Sequence, residues 1–404
     1  RDAQESRGLG DVYKRQYYRL WHNGSWSSWI EYNGNFSLDG EGKYYIEYYS
    51  VDKAGNIEET HNQTHWLENS PPTTLLEIGK KYVNNTIYVS SATLFCLTAT
   101  DNPENNSGVA FSWYTIDGDF HIGDSFTLQG YDYGSHNITW GSQDNVTNNE
   151  SGNTVTVYLD ISPPETNCSI TGERGNNGWF VSDVEIYLSA YDNASGLNVT
   201  EYRINDGLWN SYNDPISIQD DGVYSIYYHS IDNIENVEVT KVTEVKVDKT
   251  APYTQYEILG IEGNNGWYTS DINISLIPYD ANSGINITFY RIDMKEWMEY
   301  NSSFVIQEEG EHMVEYYSID NAGNAENISS FTLYIDKSPP FSYHTLIPSA
   351  PDGENGWYVN PVEITINASD AVSGVENILY RINGGEWQNY TGGIVLQDGT
   401  YIVE

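Results

Sequence analysis

The chain has few cations. Its 404 residues contain 18 Lys and Arg against 58 Asp and Glu, and the formal net charge is −40. Charged residues make up only 19% of the chain, below the usual ~25%, so the acidity reflects missing Lys and Arg. Binding to a nucleic-acid backbone or to an anionic membrane surface needs clustered cations. The composition therefore disfavours nucleic acid as a partner and docking to anionic lipid.

Long apolar runs are also missing. No stretch approaches the ~18 consecutive apolar residues of a transmembrane helix, so we expect no membrane insertion within this fragment. Aromatic residues, in contrast, make up 14% of the chain, with 35 Tyr and 12 Trp. A disordered acidic tail would be poor in aromatics, so the composition indicates folded domains.

Residues 1–16 differ in composition from the remainder. They hold four of the 18 basic residues and lack Asn, Trp and Thr. The stretch is similar to translated sequencing-adapter read-through, and we interpret it as a non-native leader; a basic linker is the alternative. Without it the net charge becomes −41, so the acidity belongs to the rest of the chain.

An internal repeat is the strongest pattern in the sequence. A Pro-containing motif (Ser-Pro-Pro or Thr-Ala-Pro) recurs at spacings of 92, 88 and 88 residues, and Gly-Trp, Asp-x-x-Ser-Gly, Tyr-Arg and a turn glycine recur in the same frame. The chain therefore begins inside one repeat and stops inside another, and we expect a longer parent protein. The predicted domains are a partial repeat at 17–69, a divergent repeat at 70–161, repeats at 162–249 and 250–337, and a truncated repeat at 338–404.

Each repeat has the pattern of a β-sandwich. Short runs of alternating polarity are separated by Gly, Asn, Asp and Pro, and no helical period of useful length competes. About seven strands in 88 residues predict an all-β chain, a tandem array of immunoglobulin-like or fibronectin-III-like β-sandwiches of about 88–92 residues each. In the third repeat the predicted strands are Val184–Leu188, Val199–Ile204, Ile216–Ile218, Tyr224–Ile231 and Val237–Val247.

Two recurring residue types have a structural interpretation. A Tyr at the start of the sixth strand of such sandwiches often forms a corner hydrogen bond, and His replaces it in two repeats. We interpret the periodic Trp residues as core or edge packing, with a sugar-stacking platform as the alternative. The predicted corner positions are Tyr44, His136, Tyr224, His312 and Tyr401.

The two cysteines, Cys96 and Cys168, fall at non-equivalent positions of different repeats. We expect two small buried hydrophobes rather than a disulfide.

Seventeen Asn-x-Ser/Thr sequons occur, against about six or seven expected by chance from this composition. The excess favours an extracellular, N-glycosylated surface protein over sequons that arise passively in Asn-, Ser- and Thr-rich strands. The candidate glycosylation sites are Asn62, Asn137, Asn145, Asn198, Asn286, Asn301, Asn327 and Asn389.

Three phrases in the same frame carry a resemblance: Tyr-Tyr-Ser-Ile-Asp-Asn-Ala-Gly-Asn-x-Glu at 316–326, Ile-Asp-Lys-Ser-Pro-Pro at 335–340, and Tyr-Arg-Ile-Asn-Gly-Gly-Glu-Trp-Gln-Asn-Tyr at 380–390. They resemble the immunoglobulin-like repeats of bacterial and archaeal cell-surface proteins, over essentially all of 17–404. The resemblance implies extracellular tandem arrays that serve as stalks, adhesins or surface-layer parts, or as spacers beside hydrolases. The second repeat departs from the pattern, with an insertion at Asp101–Gly108.

No catalytic or phosphate-binding motif is present, and we expect neither an enzyme nor an organic cofactor. The recurring acids have a geometric meaning instead. In such sandwiches the acid that ends one repeat should approach two loops of the next, and clustered oxygens there could ligate Ca²⁺. Ordinary turn chemistry is the alternative, with Lys249 or Lys337 neutralising the neighbouring acid. The predicted groups are Asp248 with Asp280 and Asp320, Asp160 with Asp192 and Asp232, and Asp336 with Asp370.

The predicted function is a non-catalytic stalk at the cell surface, structural or adhesive, whose X-Pro-Pro linkers favour a semi-rigid rod. Its neighbouring repeats are the expected partners. The first alternative is a module that binds cell-surface glycans or extracellular matrix proteins. The second is the spacer region of a larger secreted hydrolase.

Overall fold

The computed structural model describes residues 15–101 and 107–404, almost entirely as β-strands. Within this part of the chain the one helical element is a 3-10 turn at Glu354–Gly356. No helix among the described residues has the length and hydropathy needed to cross a bilayer. The all-β prediction is confirmed.

The first sheet begins inside the stretch assigned to the leader. Residues 1–14 lie outside the described part of the chain, but Arg15 and Gln16 pair with Val51 and Ser50 in an antiparallel ladder. This repeat contains β1 (Arg15–His22), β2 (Ser25–Trp26), β3 (Ile30–Glu31), β4 (Gly42–Val51) and β5 (His61–Leu67).

The second and third repeats come next along the chain. The second contains β6 (Thr73–Ile78), β7 (Tyr82–Asn84), β8 (Thr86–Val89), β9 (Phe95–Thr100), β10 (Val109–Ile116), β11 (Asp119–Ile122), β12 (Ser125–Phe126), β13 (Gly134–Asp144) and β14 (Asn153–Leu159). The third contains β15 (Glu165–Thr171), β16 (Trp179–Phe180), β17 (Val184–Tyr191), β18 (Leu197–Ile204), β19 (Asn210–Ser211), β20 (Ile216–Ile218), β21 (Gly222–Asp232) and β22 (Lys241–Val247).

The fourth and fifth repeats complete the described chain. The fourth contains β23 (Tyr253–Leu259), β24 (Trp267–Tyr268), β25 (Ile272–Tyr279), β26 (Ile285–Ile292), β27 (Met298–Glu299), β28 (Phe304–Ile306), β29 (Gly310–Asp320) and β30 (Ser329–Ile335). The fifth contains β31 (Phe341–Ile347), β32 (Val362–Ser369), β33 (Leu379–Tyr380), β34 (Gln388–Asn389) and β35 (Ile394–Leu396).

The fourth repeat shows how the alternating pattern forms a sandwich. Its sheets have the strand orders β23-β25-β28 and β24-β30-β29-β26-β27. All pairs are antiparallel except β24 with β30, which run parallel. Along β29 every second residue from His312 to Asp320 is buried, because successive strand residues face opposite sides. The core is formed by Ile272, Ile274, Leu276, Ile306, Val314, Tyr316, Leu333 and Ile335.

The second repeat has the same two layers despite its divergent sequence. Its sheets have the orders β12-β9-β6 and β11-β10-β13-β14-β8-β7, with β8 parallel to β14. Full burial of one aliphatic side chain stabilises a fold by about 1.5–3 kcal/mol, so the core accounts for much of the stability. It is formed by Val89, Phe95, Ile116, Phe126, Leu128, Ile138, Val157 and Leu159.

The described chain divides into two compact units. The first holds the described residues up to Cys168 together with Leu188–Asn213 and Tyr227–Val242, and the second holds Ser169–Tyr187, Asp214–Ile226 and Thr243–Glu404. The third repeat thus contributes segments to both units.

The fifth predicted strand of the third repeat is shorter than expected. The alternating pattern predicted Val237–Val247, but β22 begins at Lys241. Val237 makes an isolated bridge to Ile231, and the next residue, Glu238, turns inward and is 7% exposed. Here the Glu238 carboxylate binds the backbone of Thr166 in β15, in place of the continued strand pairing that the pattern predicted.

The fifth repeat has smaller sheets, β31-β32-β35 and β33-β34. They border a cavity of about 940 Å³ whose lining includes Leu346, Trp357, Ile364 and Tyr401.

Candidate metal centres

The acid that ends one repeat lies buried against the loops of the following repeat. Asp248 is fully buried, and its Oδ2 accepts the backbone N–H of Ser283 at 2.9 Å. Its backbone carbonyl accepts the side-chain amide of Asn324 at 2.9 Å. Oxygen atoms of Asp248, Asp280 and Asp320 lie within 4.8 Å of one another. The structure therefore brings together the three acids of the first predicted group.

Each loop in this group folds around its own carboxylate. Asp280 Oδ2 accepts the backbone N–H groups of Asn282 at 3.0 Å and Gly284 at 2.7 Å. Asp320 Oδ1 accepts that of Asn324 at 2.8 Å. These are the side-chain-to-backbone bonds that short polar residues make in turns. Turn geometry is thus one established role of these acids, independent of any ion.

The second predicted group has the same arrangement. Oxygen atoms of Asp160, Asp192 and Asp232 lie within 4.8 Å of one another. Asp160 Oδ2 accepts the backbone N–H of Ser195 at 2.9 Å, and its carbonyl accepts the side-chain amide of Asn236 at 3.1 Å. The same loop chemistry, 88 residues earlier, produces the same cluster.

A further cluster was missed by the sequence reasoning. Glu68, Asp101 and Asp144 also lie within 4.8 Å of one another, at the start of the second repeat. The signal was present in part, because Glu68 precedes a Ser-Pro-Pro motif and Asp144 follows the turn glycine by ten residues. The inserted loop after Asp101 concealed the third member. Residues 102–106 of that loop lie outside the described chain.

At the fifth repeat the structure places only two acids together. Asp336 Oδ2 accepts the backbone N–H of Ser373 at 3.1 Å. Asp370 Oδ1 accepts the backbone N–H groups of Val372 and Gly374 at 3.0 and 2.9 Å. Hydrogen bonding, chiefly from Ser373, holds the pKa of Asp336 below its usual value. The pKa of Asp336 is thus shifted in the opposite direction from those of Asp232 and Asp248.

Burial makes the triads that contain Asp232 and Asp248 electrostatically unfavourable when all members are charged. Burial raises the pKa of Asp232, and the nearby Asp160 adds to the rise. Burial likewise raises the pKa of Asp248, with a contribution from Asp280. Desolvation and like charge both penalise a carboxylate, so a bound cation or a proton would stabilise these two triads.

The two linker lysines do not neutralise these acids. Lys249 Nζ lies 2.7 Å from Asp183 Oδ1 and also donates to the carbonyl of Gln219. Lys337 Nζ lies 2.8 Å from Asp271 Oδ1 and 2.8 Å from the carbonyl of Gln307. The expectation that they could pair with the neighbouring aspartate is wrong, because their side chains bind residues that flank strands of their own repeat.

Three oxygen atoms near the triads have no hydrogen-bond partner among the described residues. They are Oε1 of Glu68, a member of its triad, Oγ of Ser107, whose backbone N–H binds Glu68, and Oγ of Ser195, whose backbone N–H binds Asp160. Ser195 is 3% exposed. Buried polar atoms normally find partners, and an oxygen without a donor is a suitable ligand for a hard cation.

The predicted corner residues make the expected hydrogen bonds. The hydroxyls of Tyr44, Tyr224 and Tyr401 donate to the carbonyls of Gly40, Asp220 and Asp398 at 3.0, 3.1 and 3.2 Å. The Nε2 atoms of His136 and His312 contact the carbonyls of Asp132 and Glu308 at 2.8 and 2.9 Å. The two histidines therefore replace tyrosine structurally, and each also binds an aspartate through Nδ1.

A buried polar lock in each complete repeat was not anticipated from the sequence. In the third repeat Glu238 accepts the backbone N–H of Thr166 at 2.9 Å and its hydroxyl at 2.5 Å, beside Ser230. Glu150 and Glu326 bind Thr74 and Thr254 in the same way. The glutamate of the Asn-x-Glu phrase thus ties the first strand of a repeat to the turn after its longest strand.

The periodic Trp residues differ in burial. Trp179 is 9% exposed and Trp357 is 61% exposed, so only some meet the predicted core or edge role.

All eight candidate glycosylation asparagines are exposed, and their occupancy stays a prediction. Cys96 and Cys168 are free cysteines and both are only partly buried, so the expectation of two buried side chains is wrong.

Comparisons with known proteins give structural likenesses only. A scan against family models finds no match, and a search of curated proteins finds no relative. Solved structures that match include a crystal structure of a tetra-tandem repeat in the extending region of a large adhesion protein. It is 13% identical with a TM-score of 0.30, over 81% of this chain and 93% of that chain. Fibronectin(III)-like modules of Clostridium thermocellum CbhA are 12% identical with a TM-score of 0.26, over 43% and 94%. The fold class of this chain rests on its own paired sheets and cores.

Proposed function

We propose that the chain is a non-catalytic stalk region of an extracellular surface protein, built from tandem β-sandwiches. The observation that carries this proposal is the buried junction, in which an acid from one repeat binds the loops of the next at Asp160 and at Asp248. A repeat that buries part of its neighbour resists bending and separation at the linker. The recurring polar residues hold turns and junctions in this proposal and perform no reaction.

Contacts between successive repeats support the same role. The backbone N–H of Asn176 donates to the carbonyl of Ala322 at 2.8 Å, and the side-chain amide of Asn177 donates to that of Asn321 at 2.9 Å. Lys80 and Glu235 form an ion pair between the second and third repeats. The second and third repeats thus contact their successors at more than the linker.

The stalk proposal is tested by pulling the chain from its two ends in a force microscope. Repeats that bear load one at a time should unfold in separate events, each releasing a contour of roughly 30 nm for 88 residues at ~3.5 Å per residue. Unfolding in a single event, or at forces no greater than those of an unstructured linker, would contradict it.

We further propose that the triads bind Ca²⁺ and stiffen the junctions. Carboxylate oxygens within 4.8 Å of one another, raised pKa values and partnerless oxygens support this. Titration with Ca²⁺ should raise the melting temperature and reduce interdomain flexibility in small-angle scattering, and chelation should reverse both. Asp248→Asn should weaken the response, whereas Asp370→Asn, which alters the two-acid group, should leave it nearly unchanged. A flat titration up to millimolar Ca²⁺ would reject the ion and leave the stalk proposal standing.

Extracellular location is part of this proposal and rests on the excess of sequons and the exposure of the candidate asparagines. Glycopeptide mass spectrometry on native material should find glycans at several of them. Bare asparagines throughout would remove this support.

A further inference from the structure

An arginine–tryptophan–glutamate unit recurs on the outer face of the sandwiches. The arginine of the Tyr-Arg motif lies over a Trp ring, at 4.5 Å for Arg19, 4.6 Å for Arg291 and 4.8 Å for Arg381. Each arginine also binds a glutamate, with Nε 2.7 Å from a carboxylate oxygen. That glutamate follows the turn glycine by five residues in all three repeats, as Glu47, Glu315 and Glu404. In these three repeats the glutamate carboxylate therefore accepts the hydrogen bonds of the guanidinium.

The third repeat has the arginine and the tryptophan but lacks the glutamate. Tyr227 occupies the position five residues after the turn glycine. The guanidinium of Arg203 lies 4.3 Å from the centre of the Tyr227 ring and 5.5 Å from that of Trp209. Its Nε is buried and has no hydrogen-bond partner among the described residues. The equivalent arginines of the first, fourth and fifth repeats thus bind a carboxylate, and Arg203 has none.

A second buried nitrogen without a partner lies beside the same indole. The ring of His229 is 4.4 Å from that of Trp209, and His229 is 9% exposed. Its Nε2 lies 3.4 Å from Glu201 Oε2, while its Nδ1 is buried with no partner among the described residues. The first and fourth repeats have Tyr49 and Tyr317 at this position. Among the described residues, two buried nitrogen atoms around one Trp ring thus lack a hydrogen-bond partner in the third repeat alone.

We propose that Arg203, His229 and Trp209 form a binding site for an acidic sugar, a pyranose that carries one carboxylate. The carboxylate would take the place that glutamate fills in the other repeats, where Arg291 and Arg381 each bind both oxygens of a carboxylate. The indole of Trp209, 39% exposed, offers an apolar surface for the C–H face of the ring. A ligand with one negative charge suits a chain of net charge −40 better than an acidic peptide or another polyanion, which the chain would repel.

The site does not depend on the stalk role or on the metal triads, so its test can fail while those proposals hold. The probe is D-glucuronate, titrated calorimetrically into the full chain with excess Ca²⁺ held constant. Saturable binding of one equivalent is expected, with acetate at least ten-fold weaker and neutral glucose not bound. If glucose binds as tightly as glucuronate, the site does not recognise the carboxylate and the proposal is overturned. If acetate binds as tightly, the site does not recognise the sugar ring and the proposal is likewise overturned.

Three variants locate the site. Arg203→Ala should abolish binding, and Arg291→Ala, its counterpart in the fourth repeat, should not alter it. Tyr227→Glu installs the residue that three sister repeats carry, so the fold should persist while the internal carboxylate displaces the ligand. The Arg203 Nε–Hε signal in the ¹⁵N NMR spectrum should shift with glucuronate in the native chain and become insensitive in Tyr227→Glu. Unchanged binding in Tyr227→Glu, or equal loss in Arg291→Ala, would overturn the proposal.

Discussion

The third and fourth repeats share an 88-residue frame but differ in what their polar residues contact. Both have an acidic triad at the junction, a Thr-Ser-Glu lock and a corner residue. They diverge on the outer sheet face, where Arg291 binds Glu315 whereas Arg203 stacks on Tyr227. The features that tie strands and loops together recur, and the outer face varies. Outer-face differences are therefore the place to look for what distinguishes one repeat from another.

The lock gives the largest expected difference between the two repeats. Glu238 is held by Lys241 Nζ at 2.7 Å in addition to Thr166, whereas Ser329 stands at the lysine's position in the fourth repeat. Glu238→Gln should cost about 2 kcal/mol, since charge-assisted hydrogen bonds are left unmade. Glu326→Gln should cost less, about 1 kcal/mol. Hydrogen exchange of core amides near Ile226 and near Val314 measures the two losses, and equal losses would show that Lys241 adds nothing.

The same lock should weaken in acid. Burial opposes the charge of Glu238, but hydrogen bonds from Lys241 and Thr166 outweigh it and keep its pKa below 4.5. A lowered carboxyl pKa contributes stability above the unfolded value, and this is lost as the pH falls through the folded value. The difference in unfolding free energy between the native chain and Glu238→Gln should therefore become smaller below pH 4.5. A constant gap would contradict the assignment.

The outer-face pair should have a smaller effect on stability. The hydrogen bond from Arg291 is the main cause of the lowered pKa of Glu315, so the pair stabilises the fold above about pH 4.5 and is lost in more acidic solution. Glu315→Ala should lower the unfolding temperature of the fourth repeat less than the lock variants do. Tyr227→Glu should raise the unfolding temperature of the third repeat, because Arg203 gains a hydrogen-bond acceptor. Calorimetry at pH 7 and pH 3.5 checks both signs, and a destabilising Tyr227→Glu at pH 7 would break the comparison.

The sequence was most informative where position alone determines contact. Spacing was enough to bring Asp248 to Asp280 and Asp320, and to assign a corner role to His136 and His312, because tandem sandwiches place equivalent loops at equivalent poles. It was not enough for contacts that depend on side-chain direction. Neutralisation of the neighbouring acid by Lys249 or Lys337 was part of the turn-chemistry alternative, but their long flexible side chains bind residues that flank strands of their own repeat.

Breaks in pattern limited the rest. Val237 continued an alternating run, so the sequence could not show that the neighbouring Glu238 turns inward to bind Thr166. Asp101 precedes an insertion that disrupts the repeat frame, and the triad with Glu68 and Asp144 was missed for that reason. Whether a carboxylate and its donors are buried together depends on the tertiary structure, and an alternating sequence pattern does not predict it.

The corner residue should give the smallest difference. In the third repeat Tyr224 donates to Asp220, whereas His312 in the fourth contacts Glu308 and also Asp293 at 3.0 Å. His312→Tyr should keep the first contact and lose the second, at a cost of about 0.5 kcal/mol. Burial opposes the charge of Asp293, but the bonds from His312 and Met313 outweigh it and lower its pKa. The lost stability should therefore be present at pH 7 and shrink as the pH falls through the pKa of Asp293. Thermal unfolding of His312→Tyr across that range measures it, with Tyr224→Phe as the matched corner control; a loss that grows in acid would show that the bond to Asp293 does not stabilise the fold.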